Sequence, residues 1–167
     1  MKRSITVLAV GIAFLGGSVA TAPAASAEER VCRGTIGAAT VDNLRVPQGA
    51  SCVLNGTKVK GTVKVENAAS LTARSVRVIG NIQAEGHDRV TVTGSTVGGS
   101  IQLKQGRAAR IKSNRVNGDV QSFSNRGPQT ISSNRIDGNL QCKSNVPKPT
   151  GSGNIVGGNK EDQCRRL

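Results

Sequence analysis

A glycine recurs through this chain at a nearly fixed interval, and that interval constrains the fold more than any other feature. It stands at Gly61, Gly80, Gly99, Gly118, Gly138 and Gly158, with spacings of 19, 19, 19, 20 and 20 residues. Two residues before each lies a β-branched aliphatic: Val59, Val78, Val97, Val116, Ile136 and Val156. Two residues after come Val63, Ile82, Ile101, Val120 and Leu140, until Lys160 ends the series. The third position after each glycine holds Lys64, Gln83, Gln102, Gln121, Gln141 and Glu161, and Asn114, Asn134 and Asn154 stand four before the last three. A fainter apolar series, Leu54, Ala73, Val92, Ile111 and Ile131, marks a second inward position, and Leu44-Arg45-Val46 with Cys52-Val53-Leu54 aligns one period earlier.

Apolar residues alternating with polar ones around each glycine have the period of a strand with one buried face. β-Branched side chains favour that conformation. A unit of this length cannot bury its own apolar face, so units must stack, placing each Val or Ile over its equivalent ~4.8 Å away. The predicted fold is all-β, a parallel β-solenoid wound as a right-handed β-helix of six to seven coils. Its Asn and Gln series become amide ladders, and the Gly, Asn and Ser between the runs serve as turn residues. A leucine-rich repeat has a similar period but needs several Leu per unit, which this chain lacks.

The composition agrees. Two Phe and no Trp or Tyr leave no aromatic payload for an ordinary core, whereas a stack of Val and Ile needs none. Residues 1–27 read as a secretory signal peptide: Lys2 and Arg3, an apolar run from Ile5 to Leu15, and the small-residue cleavage site Ala25-Ser26-Ala27. Its removal leaves 21 of the 23 Lys and Arg against 10 Asp and Glu, a net charge of +11 in place of +13. The apolar run is too short for a membrane span. Residues 28–56 read as an N-terminal cap with a degraded first coil, 57–153 as regular coils and 154–167 as a C-terminal cap.

Four cysteines in an exported chain imply two disulfides. Three pairings are open; Cys32–Cys52 and Cys142–Cys164 close the shorter loops and place one staple at each end of the stack, where exposed strand edges need covering. No C-x-x-C occurs, so no metal site is expected.

The leader and the units Gly80-Asn81-Ile82-Gln83, Gly99-Ser100-Ile101-Gln102, Gly118-Asp119-Val120-Gln121 and Gly138-Asn139-Leu140-Gln141 resemble the small secreted parallel β-helix proteins of high-GC Gram-positive bacteria. The resemblance runs from about Cys32 to Cys164 and implies architecture, with no activity attached. The coil length is also similar to that of bactofilins, polymerising cytoskeletal solenoids that lack a leader and terminal disulfides; that likeness implies shape alone.

If the strand continues through each glycine, the positions one and three residues to either side point outward. That face reads as a polar grid with a basic edge, and Lys58, Lys60, Lys64, Arg77, Arg115 and Arg135 are its candidate ligand-binding residues for a polyanion, such as an anionic envelope or matrix polymer. Arg107, Arg110 and Lys112 form a second basic group elsewhere on the circumference. Sequence-specific nucleic-acid binding is not expected without aromatics or a known motif. Secreted β-helices include polysaccharide lyases and hydrolases, and Asp119 and Asp137 are the acids that chemistry would need; beside Arg115 and Arg135 they read more simply as ion pairs. The chain therefore reads as a non-enzymatic, secreted, monomeric structural or adhesive module without a cofactor. His87, in Glu85-Gly86-His87-Asp88, reads as a solvated turn residue, and Thr91 and Thr93 as isolated threonines rather than part of the stacked ranks an ice-binding face needs.

Overall fold

A computed structural model describes residues 28–167; the signal peptide read over residues 1–27 lies outside them. The described chain is a parallel β-solenoid of three sheets, visited in the order I, II, III on every coil. Sheet I has eight strands: Glu29–Val31, Asn43–Val46, Val63–Val65, Ile82–Glu85, Ile101–Lys104, Val120–Phe123, Leu140–Lys143 and Lys160–Asp162. Sheet II has six: Thr35–Ile36, Ser51–Asn55, Ser70–Arg74, Arg89–Thr93, Ala108–Lys112 and Gln129–Ser132. The seven of sheet III are two residues each: Thr40–Val41, Lys58–Val59, Arg77–Val78, Thr96–Val97, Arg115–Val116, Arg135–Ile136 and Ile155–Val156. No helix of the described residues is long and apolar enough to cross a membrane.

The repeat sets the register. Val63, Ile82, Ile101, Val120 and Leu140 stack in sheet I; Val59, Val78, Val97, Val116 and Ile136 in sheet III; Leu54, Ala73, Val92, Ile111 and Ile131 in sheet II. All fifteen are at most 1% exposed, and full burial of each Val, Leu or Ile contributes about 1.5–3 kcal/mol. The change from a 19- to a 20-residue step has one cause. Sheet I still steps by 19 from Lys104 to Phe123, but sheet II steps by 20 from Ala109 to Gln129, so the extra residue lies in the corner over residues 124–128. The next coil retains it, as Phe123 pairs with Lys143.

The three corners use different chemistry. The recurrent glycines form the III-to-I corner, where the N–H of each from Gly80 onward donates to the carbonyl of the glycine one coil earlier at 2.9–3.2 Å, and that of Gly61 to Asp42 O at 2.7 Å. A Cβ on Gly80 would fall 2.7 Å from the Gly61 oxygen. Close backbone approach, not a positive φ, demands glycine there. The left-handed residues sit instead at the other two corners: Gly86, Gln105, Ser124 and Ser144 at I-to-II, with φ between 53° and 63°, and Gly56, Ser75, Gly94, Ser113, Ser133 and Gly153 at II-to-III, with φ between 51° and 70°. The residues that follow both columns turn inward: His87, Asn125 and Asn145 after the first, and Thr57, Val76, Ser95, Asn114, Asn134 and Asn154 after the second, are all buried.

The expected ladders are present. Asn134 Oδ1 accepts from the backbone N–H and Nδ2 of Asn114 (both 3.0 Å), while its own Nδ2 donates to Ile111 O (2.9 Å) and Asn154 Oδ1 (2.9 Å). On sheet I, Gln83, Gln102, Gln121 and Gln141 donate in turn to the next, ending on Glu161. Both disulfides, Cys32–Cys52 and Cys142–Cys164, join the end segments to the stack, with Cα–Cα distances of 5.6 and 5.1 Å.

Candidate functional site

The glycine corner changes the map of the charged surface. Because the chain bends there, residues three before and three after each glycine lie on different sheets. Lys58, Arg77, Arg115 and Arg135 do form one outward column on sheet III, interrupted by Thr96. Lys60, two residues beyond Lys58, continues past the end of that short strand. Lys64 is on sheet I, between Arg45 and Gln83. The six candidates thus do not share one face, since a strand through the glycine would leave its backbone no room to stack.

Half of the six are also engaged by carboxylates. Lys60 Nζ lies 2.8 Å from Asp42 Oδ1, and this hydrogen-bonded ion pair lowers the Asp42 carboxyl pKa below its ordinary range. Asp137 accepts Arg115 at 3.2 Å and faces Arg135 at 3.8 Å. Lys58, Lys64 and Arg77 form no ion pair among the described residues. On sheet I, Arg45 lies between Glu29 (2.8 Å) and Glu66 (3.5 Å), the Glu29 hydrogen bond being the main cause of its raised pKa. Exposed pairs of this kind contribute little stability, ~0–1 kcal/mol, but they neutralise the surface where they stand.

The two carboxylates an enzyme would need are also occupied. Asp119 Oδ1 accepts the backbone N–H of Asn139 at 2.7 Å. It is one member of a corner column in which Asn43, Asn81 and Asn139 do the same for the coil that follows. Asp137 is held by its two arginines. A groove of about 540 Å³ crosses sheet I and is lined by Lys64, Glu66, Gln83, Glu85, Gln102 and Lys104 among others, a mixture of both charges. No group of three or more His, Cys, Asp and Glu able to hold a metal occurs among the described residues.

Sheet II carries a surface that sequence reasoning partly missed. Its central outward column reads Thr35, Val53, Thr72, Thr91, Arg110, Thr130 and Thr150. Thr91, read from the sequence as isolated, does have a threonine beside it: Thr72, 19 residues earlier. Valine and arginine still interrupt the row. The flanking columns supply Arg89 on one side and Arg74, Thr93, Lys112 and Ser132 on the other. Within the six strands of this sheet there is no acidic residue.

His87 departs most from expectation. It is fully buried at the I-to-II corner rather than solvated, and neither ring nitrogen has a hydrogen-bond partner among the described residues. Burial is the main influence on its pKa, which falls to about 4, with the Ala84 backbone and the Asp88 charge acting in opposition. The signal was present in the sequence: one period on from His87 is Gly106 and two periods on is Asn125, which is also buried.

Comparison with protein-family models finds no match to this chain, and comparison with curated proteins and with solved structures finds none either.

Proposed function

We propose that this chain is exported, that its signal peptide is removed, and that the mature solenoid is a non-catalytic extracellular module holding anionic polymer of the envelope or matrix. The observation that carries this reading is a large excess of positive charge displayed in outward columns on a rigid, disulfide-joined stack. The sequence holds 23 Lys and Arg against 10 Asp and Glu, and many of those cations stand exposed on flat strands. A rigid array of this kind loses little entropy when a polymer lies along it, and its field draws anions from solution. Two disulfides in one small chain accord with an oxidising compartment. Asp119 and Asp137 serve the fold and the charge balance in this reading, and no catalytic role is assigned to them.

Retention of the secreted chain on heparin and on purified wall polymer, compared at 50 and 500 mM salt, tests the proposal. Several simultaneous charge contacts predict at least about a thirtyfold loss of affinity across that range. Equal retention at both salt concentrations, or none at the lower one, contradicts it.

A further inference from the structure

The reading above leaves open which face meets the polymer, and the structure distinguishes among the three sheets. Strand Arg89–Thr93 lies at the middle of sheet II and turns Arg89, Thr91 and Thr93 outward. Register places Thr72 and Arg110 on either side of Thr91, and Arg74 and Lys112 on either side of Thr93. Two threonine hydroxyls are thereby surrounded by Arg74, Arg89, Arg110 and Lys112. Neighbouring coils are ~4.8 Å apart, and successive outward residues along a strand ~6.8 Å apart. All four cations are exposed. None makes an ion pair or a side-chain hydrogen bond among the described residues.

That separates sheet II from its neighbours. On sheet III, Asp137 engages both Arg115 and Arg135, which leaves only Lys58 and Arg77 unpaired there among the described residues, against four cations around Thr91 and Thr93. On sheet I, Glu29 and Glu66 occupy Arg45, while the amides of the Gln ladder bond to one another. The nearest acid to the sheet II cluster is Asp88, at the corner, and it already faces Arg107 at 3.6 Å and accepts the Ser70 hydroxyl at 3.4 Å. Guanidinium forks that lack an internal partner are suited to planar or tetrahedral oxyanions, which they bind with paired hydrogen bonds.

We infer that the outer face of sheet II, centred on Thr91 and Thr93 and ringed by Arg74, Arg89, Arg110 and Lys112, is a binding site for an acidic polysaccharide. The inference rests on the proposed polyanion function and assigns its place and its ligand class. Arginine and lysine bind the sulfate or carboxylate groups. The hydroxyls of Thr72, Thr91, Thr93 and Thr130, which both donate and accept, match the free hydroxyls of sugar rings. Stacking of unpaired nucleic-acid bases would use ring faces, and sheet II has no aromatic residue in any strand.

Two quadruple variants test the assignment: R74Q/R89Q/R110Q/K112Q on sheet II and K58Q/R77Q/R115Q/R135Q on sheet III, which remove equal charge. Affinity for heparin and for polygalacturonate is measured at 150 mM salt, with inorganic polyphosphate and single-stranded DNA as further probes. The sheet II variant is expected to lose at least about tenfold for both polysaccharides, and the sheet III variant less than about threefold. The single variants R74Q and R110Q, each expected to lose about two- to fourfold, keep the test valid if the quadruple variant does not fold. A larger loss on sheet III, or equal losses on both, overturns the sheet II site while leaving the polyanion function standing. Binding of polyphosphate or DNA without binding of either polysaccharide overturns the ligand class. No binding of any polyanion by the unaltered chain refutes the function itself.

Discussion

The imidazole of His87 packs over Gly106 so closely that a Cβ on that glycine would lie 2.2 Å from both Nδ1 and Cε1 of the ring. The missing side chain in one coil makes the space for the ring in the coil before. In the following coils the same column holds Asn125 and Asn145, whose amides bond along the stack; the Gly106 N–H itself donates to Asn125 Oδ1. Gly106 offers no side chain to His87, which is why the histidine is the place where this corner ladder stops.

Acid should therefore destabilise the fold before most carboxylates titrate. His87 has a folded pKa of about 4 against about 6.5 unfolded. Below 6.5 the unfolded chain takes up the proton and the folded chain does not. Stability is complete above that pH and falls as pH drops toward 4, by up to roughly 3 kcal/mol. Denaturant unfolding between pH 7 and 4 should show this slope, and His87→Leu should flatten it. The Asp42–Lys60 pair acts only lower, because its carboxyl pKa is depressed and its contribution is lost as pH falls below the ordinary aspartate range.

Replacing Asn134 by Ala should cost about 2–4 kcal/mol, measured by urea unfolding. The change removes the acceptor of the buried Asn114 N–H and the donor to the Ile111 carbonyl, and an unpaired buried polar group costs about 1–3 kcal/mol. Replacing Gln102 by Ala, in the more exposed ladder on sheet I, should cost less than about 1 kcal/mol.

Two glycines should respond differently to substitution. Gly80→Ala forces a Cβ to 2.7 Å from the Gly61 oxygen, a backbone atom that cannot move alone, and should cost at least about 2 kcal/mol. Gly94→Ser meets nothing closer than the Ser75 Oγ at 3.9 Å, and serines already hold positive φ in its column at Ser75, Ser113 and Ser133. It should cost about 1 kcal/mol or less. Thermal unfolding of the two variants, side by side, checks the contrast.

Removal of the C-terminal disulfide as C142S/C164S should lower stability by about 2–4 kcal/mol. Cys142 and Cys164 are both fully buried, so the loss should be concentrated in the last coil. Hydrogen exchange should accelerate at Lys160–Asp162 while the central strands of sheet I stay protected. Uniform acceleration throughout would mean that the staple supports the whole stack cooperatively.

The stacking, the aliphatic columns and the amide ladders were legible because each is periodic, and a period survives without knowledge of backbone direction; the disulfides followed from four cysteines placed in two pairs at the ends of that period. The corners were not. Alternation through Gly80 looks the same whether the strand continues or bends, and only the closeness of the Gly61 carbonyl settles it. That bend divides the expected cationic grid between sheets I and III. The threonine column of sheet II was obscured in part by the same geometry: Thr72 stands a regular 19 residues before Thr91, but one residue inserted over 124–128 moves Thr130 by one against Arg110, so a fixed period loses the column there. His87 was misread because a polar residue in a Gly-rich turn ordinarily faces water, whereas here the residue after each left-handed position points into the core.

The central claim is that free cations on a rigid stack hold an anionic polymer. The most direct test is the affinity of the unaltered chain, residues 28–167, for heparin across stepped salt, plotted as log affinity against log salt. The account predicts a straight line with a slope of about −1.5 to −4, as expected when several charge contacts release counterions together. A slope near zero, or no measurable binding at 50 mM salt, would contradict it.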